Sequence, residues 1–401
     1  MIDPLAEIDA LCAFRNRIAG SDAERRAANH LARRLTTGLA REARVEPIVV
    51  RPRWALAHLV HALLAIVGSA VSVKDATVGT ILVAVAAIAT LGDVTGRFPL
   101  TRRLTGRRTS QNVFSPETEH ATKPGTLVLT AHYDSAKSGA IFGRHAERVR
   151  ALGLARVFSA AVILLLATSA ARLAGADGTV LSAIQFVPTV ALIISLPFLA
   201  DVLLSGPVPG AGDNASGVAT VLRLAERYAG TLDHLEVEVL LTGAQEPGAR
   251  GMYAWIKEHK SELHPRSTIV LNVDEVGAGT VRYAVKEGPL LALRQHRQLR
   301  ALCDQIATED AGEGRYEARP IAARRTGDAY AARARGIPAI TISCAPAPDH
   351  HQPTDTPDRI DREALGRAFG FCSELIELID EEVGPGIEAL AAADDASFTH
   401  S

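Results

Sequence analysis

Cysteine is sparse in this chain and badly spaced for chemistry. Cys12, Cys303, Cys344 and Cys372 are scattered without a CxxC pair, which argues against a cysteine-bound metal or a dense disulfide framework and for reduced, mostly buried thiols. Net charge is nearly absent as well: 43 basic residues stand against 45 acidic ones, so no global field draws the chain to nucleic acid and no such partner is expected. The amino terminus, MIDPLAEIDALCAF, lacks the basic start and apolar run of a secretory signal. No repeat of solenoid length is visible. Apolar residues, by contrast, are abundant. At 47% of 401 residues they suffice for a large core and more than one structural unit.

Some of that apolar material lies in four runs without Asp, Glu, Lys or Arg: 54–73, 76–92, 157–171 and 178–200. Crossing hydrocarbon as a helix takes about 17 to 25 residues, so the third run needs Arg156 and Arg172 to snorkel. The runs come in two close pairs, which predicts two transmembrane hairpins, 54–92 and 157–200. His58 and His61 fall inside the first run and read as packing or interfacial groups rather than metal ligands. Arg51 and Arg53 precede the first hairpin; Arg97, Arg102, Arg103, Arg107 and Arg108 follow it; Arg144, Arg148, Arg150 and Arg156 precede the second. The connecting loops are poor in such residues, so both feet of both hairpins are expected on the cytoplasmic side of a multi-pass cell-membrane protein, in contact with membrane lipid.

With the hairpins set aside, helices alternate with short apolar strands. Ser21 with Glu24 reads as a capping box for a helix through Leu39. Strands are expected at 43–50, 126–131, 235–241, 268–273 and 339–343, and helices at 216–228, 290–308 and 361–379. This pattern predicts an α/β fold, a three-layer sandwich with a mostly parallel central sheet. Residues 384–401 have no periodicity and read as a mobile tail.

Five acid and imidazole residues sit where these strands give way to loops: His132 in TAHYDS, Asp213 in GAGDNASG, Glu246 in GAQEPGARG, Asp274 in LNVDEVG and His351 in HHQPTDTPD. Together they offer nitrogen and oxygen ligands suited to zinc along one sheet edge. Asp134, two residues after His132, is placed to orient its ring. Singly, each has an ordinary reading as a cap, turn or salt-bridge partner.

The order and flanks of these five residues resemble the M28 family of di-zinc aminopeptidases, over segments 1–50, 110–150 and 206–382, with the hairpins inserted between family elements. The resemblance implies two zinc ions per chain, one held by His132, Asp213 and Asp274 and the other by Asp213, Glu246 and His351. It also implies a membrane-bound peptidase, most simply an aminopeptidase acting on short peptides. One residue departs from the pattern. The acid that serves as general base in the family is here Gln245, which can orient a water but cannot accept its proton. Glu275, Asp349 or His350 is a possible substitute. The alternatives are a weakened M28-like module that binds a peptide or partner, and amide chemistry of the glutaminyl-cyclase kind. Asp328 reads equally well as a helix start, and Arg324, Arg325, Arg333 and Arg335 as a solvated face. Residue specificity and oligomeric state are not legible.

Overall fold

The structure, a computed structural model, describes residues 2–117, 123–143, 152–387 and 389. Nine strands form one sheet in the order β1-β2-β4-β3-β5-β9-β6-β7, with β8 pairing β6: β1 Arg44–Val50, β2 Arg108–Ser115, β3 Gly125–His132, β4 Leu235–Thr242, β5 Thr268–Val273, β6 Thr280–Glu287, β7 Leu293–Arg294, β8 Arg319–Ala323 and β9 Ala339–Ala345. The block β4-β3-β5-β9 is parallel, while β1-β2, β2-β4, β9-β6 and β6-β7 run antiparallel. The sheet is therefore mixed, not mostly parallel.

The difference comes from strands that hydrophobic periodicity does not announce. β2 reads RTSQNVFS yet is buried, because its polar side chains are bonded internally: Ser110 Oγ donates to Glu24 at 2.6 Å and Asn112 Nδ2 to the Gly251 carbonyl at 3.0 Å. β8 carries Pro320 on a largely exposed strand, where a missing donor is tolerated. The expected helix 290–308 begins only at Arg297, since residues 293–294 pair with β6 as a short strand. The capping box is also altered. Ser21 Oγ accepts from Glu24 N at 3.0 Å, but the Glu24 carboxylate reaches Gly20 N, Ser110 and Ala244 N.

Helices cover both faces. α1 Pro4–Cys12, α2 Asp22–Arg33, α7 Ser216–Tyr228, α9 Arg297–Glu309 and α11 Arg362–Leu378 pack on one face, around Leu127, Leu129 and Leu271. α8 Arg250–Glu258 and α10 Asp328–Arg333 pack on the other, around Val128 and Val270. Successive strand residues thus point to opposite cores, which makes three layers. The four cysteines are free, three of them buried.

The apolar runs form α3 Trp54–Ser72, α4 Ala76–Val94, α5 Leu154–Leu173 and α6 Thr179–Leu204. All four are long and apolar enough to cross a membrane. They pack as one four-helix bundle rather than two separate hairpins, sharing a core of Ala65, Val83, Ala86, Val162, Leu165 and Leu192. Close approach between α3 and α4 depends on small residues. A Cβ on Gly79 would lie 2.3 Å from Ser72 Cα. Val67, Ile81, Val85, Ile88, Ile163, Phe186 and Val187 face outward, an apolar girdle that water would not favour.

Where α5 and α6 meet the sandwich, the two feet of their hairpin are tied. Ser138 N donates to Gly206 O and Val208 N to Ala136 O, both at 3.0 Å. Arg144, Arg148 and Arg150 lie outside the described residues, as do residues 390–401 of the expected mobile tail; residues 384–387 are helical.

Candidate metal centre

Parallel strands bring their carboxyl ends to one edge, and the sequence ends four adjacent strands with metal-type ligands. His132 closes β3, Glu246 lies four residues beyond β4, Asp274 follows β5 directly, and His350 and His351 sit on the loop after β9. Asp213 comes from the turn that starts α7. The turn is held by Asn214, whose Nδ2 donates to Val273 O at 3.0 Å and whose Oδ1 accepts from Gly217 N at 3.0 Å and Glu275 N at 2.9 Å. Asp355 secures its other side, accepting from Gly212 N at 2.6 Å and Asp213 N at 3.1 Å. Arg17, fully buried, donates to the carbonyls of Tyr133, Leu11 and Gly210 and so binds the loop after His132 to the turn before Asp213.

The five expected ligands converge. Asp213 Oδ1 is 3.1 Å from His132 Nε2, while Asp213 Oδ2 is 3.1 Å from His351 Nε2. His132 Nε2 is 3.5 Å from Asp274 Oδ1, and His351 Nε2 is 3.3 Å from Glu246 Oε1. His132, Asp213 and Glu246 form one group of potential metal donors; Asp213, His350 and His351 form a second. His350 thus joins the cluster, its Nδ1 lying 3.2 Å from Asp213 and 2.7 Å from Glu275.

The chemistry of this donor set fits a metal pair. Asp274 is buried and neither of its oxygens accepts a hydrogen bond, which is costly for a carboxylate without a cation. Arg325 supplies part of that charge, its guanidinium 3.1 Å from Asp274 Oδ2 and 3.0 Å from Glu275 Oε2. The expected solvated role of Arg325 is therefore replaced by an ion-paired one; nothing in the local sequence marks it apart from Arg324. His132 Nδ1 donates to the Asp134 backbone carbonyl at 3.1 Å, which leaves Nε2 facing Asp213 and Asp274. The Asp134 carboxylate is 3.5 Å from the ring and accepts from Gln245 N at 2.9 Å and Glu246 N at 3.2 Å. It positions the Gln245–Glu246 loop as well as the histidine.

Electrostatics are strong here. Burial opposes the charge on His132, yet the surrounding carboxylates of Asp134, Asp213 and Asp274 outweigh it and raise the imidazole well above its usual range. His350 is raised to about 10 against the same burial, chiefly by Glu275 and then by Asp213. Burial resists ionisation of Asp213, but its three histidine neighbours keep it a carboxylate well below the usual pH. Asp328, beneath the cluster, is pushed up to about 7 by burial. It accepts from Thr242 Oγ1 at 2.6 Å, which makes it a buried support as well as the first residue of α10.

Gln245 lines the same cavity as the ligands. Its Nε2 donates to Thr326 O at 3.1 Å, and its Oε1 accepts nothing among the described residues. Of the other proton carriers considered, Asp349 is tied to Thr354, while His350 faces the cavity. His58 and His61 act as packing groups, His61 Nε2 lying 2.7 Å from Thr101 Oγ1. An acid does accompany His58, however: Asp93 of α4, at 3.5 Å, which in turn pairs with Arg102 at 2.6 Å. Arg102 Nη1 donates to Pro247 O at 2.7 Å, next to Glu246.

The family model described as Peptidase family M28 matches residues 195–376. No curated protein matches the chain. Among solved structures, a zinc aminopeptidase from Bacillus subtilis is 14% identical with a TM-score of 0.54, the match covering 93% of each chain. An aminopeptidase from Aneurinibacillus sp. strain AM-1 is 15% identical with a TM-score of 0.54, covering 94% of this chain and 92% of the other. A Bacteroides thetaiotaomicron glutaminyl cyclase is 14% identical with a TM-score of 0.53, covering 93% of this chain and 96% of the other. At these identities the likeness is one of fold.

Proposed function

We propose that this chain is a membrane-embedded, zinc-dependent hydrolase of amide bonds of the M28 peptidase type. The observation that carries the reading is Asp213, whose two oxygens each face a different histidine with Glu246 and Asp274 alongside. His132, Asp213 and Asp274 would hold one ion and Asp213, Glu246 and His351 the other. When bound, such a pair polarises a carbonyl and acidifies a water. Asp134, Asn214 and Asp355 fix the ligand loops, Arg325 balances Asp274 and Glu275, and Gln245 offers an amide oxygen that orients but does not take a proton. His350, hydrogen-bonded to Glu275 and raised to about 10, already carries a proton and can return one; the carboxylate beside it placed to receive one is Glu275.

The four apolar helices support membrane insertion, and the arginine flanks support a cytoplasmic metal site. Gln245 favours a second reading, a metal-bound module that holds a peptide without cleaving it. Elemental analysis and a panel of amide substrates, applied to the detergent-purified protein, separate the two. The expected result is close to two zinc ions per chain and chelator-sensitive hydrolysis, with Asp213→Ala losing at least one ion. Unchanged metal in Asp213→Ala removes the bridging assignment. Full metal without hydrolysis favours the binding module.

A further inference from the structure

The cavity that contains the ligand cluster does not end at the sandwich. It has a volume of about 950 Å³ and continues among all four bundle helices, past His58, Phe158, Leu192, Ser195 and Phe198. Along α6 its lining runs from Val202 to Ala191, about 16 Å at 1.5 Å per residue. A hydrocarbon core about 30 Å thick is two lipid chains deep, so this reach is close to that of one acyl chain. Ile194 is 57% exposed and Phe198 37% exposed while both line the cavity, so it opens sideways onto the apolar girdle.

The charges in the lining limit what the other end of a substrate carries. Asp93, Asp213, Glu246 and Asp274 are the lining carboxylates among the described residues. Three belong to the ligand cluster, and Asp93 is paired with Arg102. Among the described residues none remains to receive a free ammonium. Arg324, in contrast, lines the cavity, is exposed, and has no ion-pair partner among the described residues.

We infer that the substrate is a long-chain N-acyl amino acid, or a peptide so acylated, its apolar chain lying between the bundle helices and its carboxylate directed to Arg324. This rests on the amide-hydrolase reading and names its substrate class. Water adds to the acyl carbon, the C–N bond breaks, and a fatty carboxylate and an amine leave, the amine taking up a proton. An apolar chain delivered sideways from lipid would meet the site without passing through water.

The test compares N-dodecanoylglycine, N-acetylglycine and a free amino-terminal dipeptide on the full-length, metal-loaded protein in detergent. The long-chain amide is expected to exceed the others by on the order of 10²-fold or more in kcat/KM. Ser195→Trp, which fills the bundle part of the cavity, should shorten the preferred chain. Equal or better turnover of the free dipeptide overturns the inference but leaves the hydrolase reading standing. A second readout is independent of turnover: an N-acylglycine carrying a diazirine at the chain end should crosslink to Leu192, Ser195 or Phe198 and be displaced by N-dodecanoylglycine. Labelling confined to outward residues such as Phe186 and Val187, or labelling that is not displaced, shows bulk lipid association only and overturns the proposal. Displaceable labelling without hydrolysis of any amide supports the acyl site and removes the hydrolase reading.

Discussion

Gln245 stands beside Glu246 with its amide nitrogen committed to Thr326 and its oxygen without a hydrogen bond among the described residues. If its only deficit is an inability to take a proton, Gln245→Glu should raise the hydrolysis rate on the order of 10²-fold, with metal content unchanged. If Glu275 already accepts the proton, the gain will be small and Glu275→Gln will abolish turnover; stopped assays across both variants decide. Away from the site, Glu238 on β4 is half-buried beside Glu236 and Glu262, and its carboxyl is raised from 4.5 to about 7, mainly by loss of water around it. A raised carboxyl favours the folded state while protonated, and that contribution is lost as pH rises from about 4.5 through about 7. Glu238→Gln should therefore raise Tm at pH 8 and leave little difference near pH 4.5, as thermal unfolding at both pH values would show. The convergence of the five expected residues was legible because each lies in a distinctive short motif, His132 and Asp274 at the ends of apolar strands. Arg325, Arg17 and Asp355 were not, since their roles arise from contacts across 50 or more positions that local pattern does not encode.

At the scale of elements, the parallel block β3, β4, β5 and β9 was readable as apolar runs, whereas β2, β6 and β8 were not. β2 hides its burial behind bonded polar groups, and in β6, TVRYAVKE, the period-2 pattern breaks at Ala284, which is buried next to buried Tyr283. The antiparallel pairings of β2 and β6 turn the expected parallel sheet into a mixed one. One contact between the bundle and the ligand loops runs through α4: Asp93, next to its last residue, pairs with Arg102, which holds Pro247 O. Arg102→Met keeps much of the volume but leaves a buried carboxylate and a carbonyl unpaired. It should lower kcat more than it raises KM by loosening Glu246, and should reduce metal retention during dialysis against a chelator. Unchanged metal retention would show that α4 does not support the ligand loop.

For the whole molecule, the arginine flanks predict the feet of both hairpins and the sandwich on one side of the membrane, with the loops near Lys74 and Ala176 on the other. In intact cells, single cysteines at Lys74 and Ala176 should react with an impermeant thiol reagent while one at Ser261 stays protected. The opposite pattern places the metal centre outside and changes its substrates from cytosolic amides to external ones. That helices interrupt an α/β chain was plain from composition. That they assemble into one bundle open to the metal cluster was not, because inter-helix packing leaves no periodic trace in runs apolar on every side.

The tie between residues 136–138 and 206–208 has a bearing on how such a molecule can be taken apart. His132 and Asp213 are joined through the whole second hairpin, yet their spacing is set by Ser138 bonded to Gly206, Val208 bonded to Ala136 and the buried Arg17 guanidinium. The hairpin hangs from a closed backbone ring, as an insert hangs from a loop tip. A graft that joins residue 138 to residue 206 by a short turn would remove α5 and α6 while keeping the ties that set the spacing of His132 and Asp213. On the proposed reading the hairpin serves to reach substrate, and it is detachable in principle from the residues that would hold metal.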